Sequence, residues 1–364
     1  MVYELVQHLI NGLAAGTIYA LVALGYTMVY GVLKLINFAH GDVMMVGTYV
    51  GYATAFLLGR DALESPFSAL LVFAVAMSAC AAIGFVIERF AYRPLRDKPR
   101  LTALITAIGI SFALSYGFQF DVTVNLFGHA VTLLPGAAAR RFPEIIKPSR
   151  WLVLGDDDVI IWNWQVISFA IAMTLMTVLQ VLVFRTRFGK AMRAVSHDHR
   201  TAALLGIPVD TIIALTFMLG SALAAGAGIL YAIKDKSIQP LMGVMVGLKA
   251  FVAAVIGGIG NLPGAVVGAL LLGLCEEVVV GYGPAALLPV LALFVVVLAR
   301  TPAGGDGRTL VLRLGVLPVA LAVAYVASDI NGSTWRDAVA FGFLIMVLLA
   351  RPEGLFGRVQ AEKV

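Results

Sequence analysis

Three carboxylates in this sequence stand among long apolar stretches: Asp42 at the end of KLINFAHGD, and Glu276 with Glu277 in GLCEEVVVG. An ionisable side chain inside a membrane is energetically costly, so such a group is by default a candidate for coupling to a proton or an ion. Adjacent helical residues point about 100° apart, so at most one of Glu276 and Glu277 is expected to face a cavity. For this pair we favour a helix-terminal or inter-helix hydrogen-bonding role over a proton relay.

The sequence has no motif for catalysis, metal binding or nucleotide binding. Gly189-Lys190 lacks the upstream glycine and the following Ser or Thr of a phosphate-binding loop. The His-Asp-His run at 197–199 is too compact and isolated for a metal site, and no Gly-x-Ser-x-Gly nucleophile motif occurs. We therefore predict a chain that is not an enzyme, has no cofactor or metal, and carries no energy-coupling motif of its own.

The elements that must hold these residues are membrane helices. Of 364 residues, 60% are hydrophobic and 13% are charged, and the mean hydropathy is +0.94, whereas a typical soluble domain is about 25% charged. The charge-free stretches are 5–33, 65–87, 101–120, 159–184, 211–233, 250–275 and 278–299. Each is long enough to cross about 30 Å of hydrocarbon as a helix. We predict an all-α polytopic membrane protein, one transmembrane domain over 1–364 with about 9–11 transmembrane helices, some of them discontinuous.

Basic residues cluster at 89–100, 185–200, 300–313 and from 351 onward. The positive-inside rule predicts that all four clusters are cytoplasmic, with the N-terminus outside and the C-terminus inside. This topology requires the stretch 250–275 to enter and return, or to form two short crossings. Cytoplasmic loops then account for the net charge of +5, so no nucleic-acid partner is indicated.

The longest polar interval, 121–162, then lies outside as a small extracytoplasmic cap. Its RWLVL run at 150–154 and its VIIW run at 159–162 are short and β-like, and they flank the turn-prone sequence Gly-Asp-Asp. We therefore expect a small structured loop on the outer side.

Two interruptions of the helical pattern occur at membrane depth, at 34–42 and in GGIGNLPG at 257–264. Freed backbone groups are not tolerated in lipid, so such breaks are buried in protein or line a wet cavity. Paired breaks of this kind point to a transport pathway. The candidate pathway residues are Asn37, His40, Gly41, Asp42, Gly257, Gly258, Gly260, Asn261, Pro263 and Gly264.

For the first break we expect a helix end at the inner side or partway through the bilayer. Asp42 would begin the next helix, and Asn37 or His40 would satisfy exposed backbone groups. A plain cytoplasmic turn with a capping aspartate is the alternative.

The basic segment 185–210 differs from the other basic loops because it is rich in Ala and Leu and is punctuated by glycine. We predict a short amphipathic helix along the cytoplasmic side. Its polar face carries Lys190, Arg193 and His197, and its partly apolar face carries Met192, Val195 and Ala203. The segment suits a protein partner, and the alternative is a basic loop held by anionic membrane lipid.

Four segments together resemble the permease subunits of bacterial ABC importers for branched-chain amino acids, the high-affinity leucine/isoleucine/valine type, and more narrowly their H-type permease. They are NGLAAGTIYALVALGYTMVYGVLKLINFAHGDVMMVGTY, TRFGKAMRAVSHDHRTAALLGI, AAVIGGIGNLPGAVVGALLLGLCEE and ARPEGLFG. The segments occur in family order and extend over most of the chain.

The resemblance implies a bacterial inner-membrane complex with an M-type permease, two cytoplasmic ATPase subunits and a periplasmic substrate-binding protein. It implies that 185–210 is the cytoplasmic coupling loop that docks on an ATPase, and that both breaks lie in the translocation core. The residues that inherit the coupling role are Phe188, Gly189, Lys190, Arg193, Ala194, Ala202, Ala203, Gly206 and Ile207. One departure is the additional apolar sequence at 284–332, which we expect to form an extra helical pair.

Two other function classes stay open on the sequence. A self-sufficient channel or ion-driven transporter would use Asp42, Glu276 or Glu277 as its coupling carboxylate. A structural membrane scaffold would carry no flux. Within the importer reading, the substrate could be branched-chain amino acids, other amino acids, urea or short amides.

Overall fold

The computed structural model describes residues 2–63, 65–96, 98–126, 129–154, 159–283, 336–351 and 353–357. These ranges contain eleven α-helices and six short strands. The helical pair expected at 284–332 lies outside the described residues.

The helices share an apolar composition, apart from the short pair α6 and α7. In chain order they are α1 (Val2–Leu33), α2 (His40–Ala62), α3 (Pro66–Ile87), α4 (Arg100–Gly117), α5 (Asn163–Arg185), α6 (Arg187–His197), α7 (His199–Leu204), α8 (Val209–Asp235), α9 (Met242–Gly257), α10 (Leu262–Tyr282) and α11 (Arg336–Ala350). A π-helical turn (Glu88–Tyr92) and a 3₁₀ turn (Arg93–Leu95) follow α3 directly.

Six helical spans within the described residues have the length and composition to cross a membrane, and α4 and α9 supply two shorter apolar helices. The long spans are Tyr3–Leu33, His40–Gly59, Phe67–Leu95, Asn163–Arg185, Val209–Asp235 and Leu262–Tyr282. The predicted class, a helical polytopic membrane protein, is confirmed.

Close helix packing at small residues organises the bundle around α1. Cβ atoms built on Gly12 and Gly16 would come within 3 Å of the α10 backbone, at Leu274 and Leu270 respectively. The contact moves to higher residue numbers in α1 as it moves to lower residue numbers in α10, so these two helices are antiparallel. In a bilayer, where the hydrophobic effect does not drive helix association, such glycine contacts allow van der Waals packing at short range.

The stretch 250–275 is not one helix, as the charge pattern required. It contains the end of α9 and most of α10, which form an antiparallel hairpin with Gly257 against Gly264 and Gly268 against the Ala253 carbonyl. The helix α9 also begins eight residues before the predicted stretch does, at Met242. The predicted stretch began only after Lys249 because a lysine interrupts a charge-free run. This lysine, however, is buried and paired inside the bundle.

Three two-stranded sheets are built from β1 (Asp121–Leu126), β2 (His129–Pro135), β3 (Arg140–Arg141), β4 (Arg150–Leu154), β5 (Val159–Trp162) and β6 (Ser237–Ile238). The predicted strands at 150–154 and 159–162 are confirmed as the antiparallel pair β4 and β5. The pair β1 and β2 was not expected, and neither was the pairing of β3 with β6, which ties this interval to the end of α8.

Candidate functional site

The first break lies inside the bundle. Lys34 adopts a left-handed φ of 57° and ends α1, and α2 begins at His40. The imidazole of His40 lies against Gly25, where a Cβ would overlap it, and packs edge-on against Tyr26 with ring centroids 4.7 Å apart. Tyr26 is seven residues before the end of α1, which corresponds to about 10 Å at the helical rise. The chain therefore turns back into the bundle before α2 starts.

The capping roles expected at this break are not observed. Asp42 lies in the first turn of α2, whose N-cap is Ala39 without a side-chain hydrogen bond. The side chain of Asn37 accepts a hydrogen bond from the Tyr92 hydroxyl at 3.1 Å instead of binding backbone. Neither ring nitrogen of His40 has a hydrogen-bond partner among the described residues. Asp42 thus lies at the start of α2 as expected, but the Asn37 side chain does not satisfy the local backbone, because Tyr92, a residue distant in sequence, binds it.

Asp42 is 1% exposed and is held by two hydroxyl groups of α4. Ser111 donates a hydrogen bond to one carboxylate oxygen at 2.5 Å, and Ser115 donates to the other at 2.6 Å. The two serines are four residues apart, so they lie on the same face of α4. Sequence reasoning missed this pair, although the spacing of the two serines within an apolar stretch was the available signal.

Gly41 lies in a groove of α9 formed by Gly243 and Gly247. A Cβ on Gly41 would overlap the Gly243 carbonyl oxygen and would lie 2.8 Å from the Gly247 Cα. Glycine is therefore required by the close approach of two backbones at the start of α2.

The second break connects α9 to α10. Gly258 and Gly260 adopt φ values of 97° and 94°, which other residues rarely adopt. Asn261 is the N-cap of α10 and accepts a hydrogen bond from the Gly264 amide at 3.2 Å, while Pro263 occupies the first turn.

The C-terminal segment 353–357 covers the end of α9. The amides of Leu355 and Phe356 donate to the carbonyls of Ile256 and Gly257 at 2.8 and 3.3 Å, and the side-chain amide of Asn261 donates to the Phe356 carbonyl at 2.9 Å. The backbone groups freed at this break are thus satisfied by protein, as a membrane-embedded break requires.

The two breaks do not meet at one point. Gly41 packs at Gly243 and Gly247, whereas the second break begins at Gly257 at the other end of α9. The ten residues from Gly247 to Gly257 correspond to about 15 Å. The candidate pathway residues thus form two separate groups, located at two different positions along α9.

The segment 185–210 folds as two short helices, α6 and α7. Lys190, Arg193 and His197 are exposed, and Met192 and Val195 are buried, as the amphipathic pattern predicted. The prediction for Ala203 was wrong: Ala203 is exposed and Ala202 is buried. A break at Asp198 shifts the helical phase, because Asp198 ends α6 and caps α7 by accepting hydrogen bonds from the Arg200 and Thr201 amides.

The remaining residues of the segment fix its turns. Gly189 lies against the Val183 carbonyl, and Gly206 has φ 79°. Ile207 donates from its amide to the Ala202 carbonyl at 3.1 Å. Phe188 and Ala194 are half-buried.

Two side chains fasten α6 and α7 to the end of α1. The Ser196 hydroxyl donates to the Gly31 carbonyl at 2.6 Å, and His199 Nε2 lies 2.8 Å from the Val32 carbonyl. Arg193 donates to the Val183 carbonyl and lies 5.7 Å from the Phe184 ring centroid. In contrast, Leu204 and Leu205 are 88% and 72% exposed, and they form an apolar knob at the end of α7.

A charged cluster connects the start of α8 to the first break. Asp210 binds both Arg93 and Arg96, the second at 2.5 Å, and Arg96 also binds the buried Glu88. Glu88 and Tyr92 are the first and last residues of the π-helical turn, an element that is frequently found at functional sites. Since Tyr92 also binds Asn37, contacts run without a gap from the end of the segment 185–210 to the first break.

Glu276 and Glu277 are both buried, and each has an ionic partner. Glu276 lies 3.2 Å from Lys249 Nζ and accepts a hydrogen bond from the Tyr19 hydroxyl at 3.0 Å. Glu277 lies 3.3 Å from Arg336. Both glutamates thus make the inter-helix contacts that we favoured, and the partner Lys249 was missed because a lysine marks the boundary of a charge-free run.

A partly open cavity of about 600 Å³ brings one predicted coupling residue together with predicted pathway residues of the second break. Arg193 lines it from α6, and Gly260, Asn261 and Pro263 line it from the second break. Among the described residues, no group of three or more His, Cys, Asp or Glu side chains is arranged to hold a metal ion.

Comparison with known proteins gives consistent results over the whole chain. Residues 8–304 match the family model described as "Branched-chain amino acid transport system / permease component". The permease protein BraD of Pseudomonas aeruginosa, from a high-affinity branched-chain amino acid transport system, is 37% identical over 100% of this chain and 99% of its own. LivH of Salmonella typhimurium and LivH of Escherichia coli, which carry the same description, are 36% and 35% identical, and each alignment covers 98% of this chain and 97% of the relative. The chain belongs to the family of branched-chain amino acid transport system permease components.

Proposed function

We propose that this chain is the transmembrane permease subunit of an ATP-driven importer and forms, with a second permease of the M type, the path for branched-chain amino acids. Branched-chain amino acids are the substrates of the transport systems to which the related permeases BraD and LivH belong. The observation that carries the mechanism is the unbroken contact series from Asp210 through Arg96 and Glu88 to Tyr92 and Asn37. Such a series gives a docking event at the segment 185–210 a physical route to the first break.

Two ATPase subunits on the cytoplasmic side and a periplasmic substrate-binding protein complete the proposed complex. The exposed Lys190 and the Leu204-Leu205 knob supply a mixed charged and apolar surface for an ATPase subunit. Under this proposal the chain lies in a bacterial inner membrane with its N-terminus outside and its C-terminus in the cytoplasm, 121–162 is the periplasmic loop, and the permease itself is not catalytic.

The two breaks would then carry separate tasks. Gly41 packs α2 against α9, and Asp42 binds α2 to α4 through Ser111 and Ser115, both inside the bundle. The second break, at the inner end of α9, lies beside the segment that receives the ATPase movement. Nine of the ten candidate pathway residues are glycines or lie at a helix end, so we expect backbone shape to form much of the path.

The ion-driven alternative has less support. Asp42 is held by Ser111 and Ser115, and Glu276 and Glu277 are paired with Lys249 and Arg336. All three carboxylates therefore have structural partners. Because these partners lie on other helices, we infer that the three carboxylates stabilise helix packing.

Reconstitution of the complete complex in proteoliposomes tests the proposal. We expect concentrative uptake of labelled leucine that requires ATP and the binding protein. Arg193→Glu should reduce uptake at least tenfold, because it places a carboxylate beside the Val183 carbonyl and removes the contact with Phe184. Arg141→Glu, at an exposed position of β3, is the matched control. Uptake by this chain alone, driven by a proton gradient, would show that the proposal is wrong.

A further inference from the structure

The cavity of about 600 Å³ is bounded by four parts of the chain: the inner end of α1, the α5 to α6 corner, the α9 to α10 turn and the segment 353–357. Its volume falls in the usual range for small-ligand pockets, about 300–1,000 Å³. Its lining divides into a charged part and an apolar part. The apolar part consists of Met28, Val183, Phe184, Val255, Leu262 and Phe356.

Charged side chains of both signs line this cavity. Among the described residues, Lys34 makes no ion pair, and its Nζ lies 5.9 Å from the Tyr30 ring centroid. Glu353, which is exposed, also lines the cavity and makes no ion pair within the described part of the chain. Burial lowers the pKa of Lys34 below its usual range, so an anionic ligand group would offset the cost of desolvating this ammonium.

The cavity therefore offers a cation, an anion and an apolar wall.

We propose that this cavity binds a zwitterionic amino acid with an aliphatic side chain, the carboxylate at Lys34, the ammonium at Glu353 and the side chain against the apolar wall, and that occupancy from the cytoplasmic side inhibits import. The inference rests on the proposed function, which makes this ligand the transported product. The ligand would lie between Arg193 of the proposed coupling segment and Gly260 to Pro263 of the second break. It would thus resist any relative movement of these two parts.

The test uses the complete complex in proteoliposomes, with the ATPase subunits outward and the binding protein and leucine enclosed. Leucine added outside should inhibit ATP hydrolysis. Isocaproate, which lacks the ammonium group, and isopentylamine, which lacks the carboxylate, should each inhibit about tenfold more weakly, since one charge-assisted contact is lost.

Two variants test the two charged contacts with the ligand separately. Lys34→Gln should weaken inhibition by leucine about tenfold and abolish the difference between leucine and isopentylamine. Glu353→Gln should weaken it by a similar factor and abolish the difference between leucine and isocaproate.

The matched control is Lys236→Gln, because Lys236 also follows a helix end with φ 57° but lies beside the β3 and β6 pair. External leucine should inhibit ATP hydrolysis by this variant as strongly as it inhibits the unaltered complex. If ATP-driven uptake occurs but external leucine has no effect, or acts equally on all variants, the inference is wrong while the proposed function stands. If Lys34→Gln and Glu353→Gln instead prevent assembly with the ATPase subunits, the cavity is a subunit interface and the inference is also wrong. Absence of any ATP-driven uptake would overturn both.

Discussion

Tyr92 and Asn37 are 55 residues apart in the chain and share a hydrogen bond of 3.1 Å inside the bundle. Tyr92 ends a π-helical turn whose first residue, Glu88, binds Arg96. The turn therefore lies between the proposed coupling segment and the first break: Arg96 links Glu88 to Asp210 on one side, and Tyr92 binds Asn37 on the other.

Tyr92→Phe should uncouple ATP hydrolysis from transport. The substitution keeps the packing of the ring against Phe217, whose centroid is 5.0 Å away, and removes only the hydroxyl that binds Asn37. We expect the leucine transported per ATP hydrolysed to fall about two- to tenfold, the scale of one net hydrogen bond, with little change in assembly. Tyr116→Phe on the exposed face of α4 is the control. An unchanged transport ratio would show that this bond plays no part in coupling.

Asp210→Asn should give the same uncoupled phenotype from the opposite end. The change leaves Arg93 and Arg96 without their shared carboxylate. If both residues act through one series of contacts, the double variant with Tyr92→Phe should be no worse than the more severe single variant, whereas independent effects would add. Transport per ATP, measured on all four proteins of this cycle, decides between the two outcomes.

The sequence was sufficient to predict the helical membrane class, the hairpin at 150–162 and the division of 250–275 into two parts. Each of these depends on local composition, on glycine and proline, or on counting charges across crossings. The partners of Asp42 could not be predicted in this way. Ser111 and Ser115 lie about seventy residues away, and only tertiary packing brings that face of α4 to α2.

Ala203 and Lys249 show where periodicity fails. The pattern from Met192 to Ala203 assumed one continuous helix, but Asp198 takes the capping position and starts a new one. Lys249 was treated as the boundary of a hydrophobic stretch, because a single sequence does not reveal that Glu276 and Asp337 neutralise it. In both cases a polar side chain was judged by its type before its partners were known.

Gly41→Ala should impair assembly of the bundle. A methyl group there would meet the Gly243 carbonyl and the Gly247 Cα, and backbone atoms cannot move aside as side chains can. Overpacking of this kind costs roughly 1–3 kcal/mol. Gly109→Ala is the matched control, because nothing lies within 4 Å of its Cβ position, and helix propensity favours alanine there. Thermal unfolding in detergent should show a lower Tm for the first variant only.

The cap of α7 should persist across the physiological pH range and fail only in acid. The hydrogen bond from the Thr201 hydroxyl, together with the Thr201 and Arg200 amides, holds the pKa of Asp198 below its usual range. Because the folded-state pKa is depressed, the stabilisation is fully present above the unfolded value of about 3.9 and is lost as pH falls through the folded value. Amide hydrogen exchange at 199–204 should show protection at pH 5 and 7 after correction for intrinsic rates. Loss of protection between pH 7 and 5 would contradict this assignment.

Removing Lys249 alone should damage the protein more than removing Lys249 and Glu276 together. Lys249→Met leaves Glu276 buried with only the Tyr19 hydroxyl among its described partners, and an uncompensated buried charge costs roughly 3–5 kcal/mol. In Lys249→Met/Glu276→Leu both buried charges are gone, while the side chain of Asp337 is 50% exposed and can be hydrated. Thermal unfolding of the complex should therefore place the double variant close to the unaltered protein. If the double variant also retains ATP-driven uptake, the cluster holds α9 to α10 and does not carry protons, whereas a stable double variant without uptake would return Glu276 to the transport path.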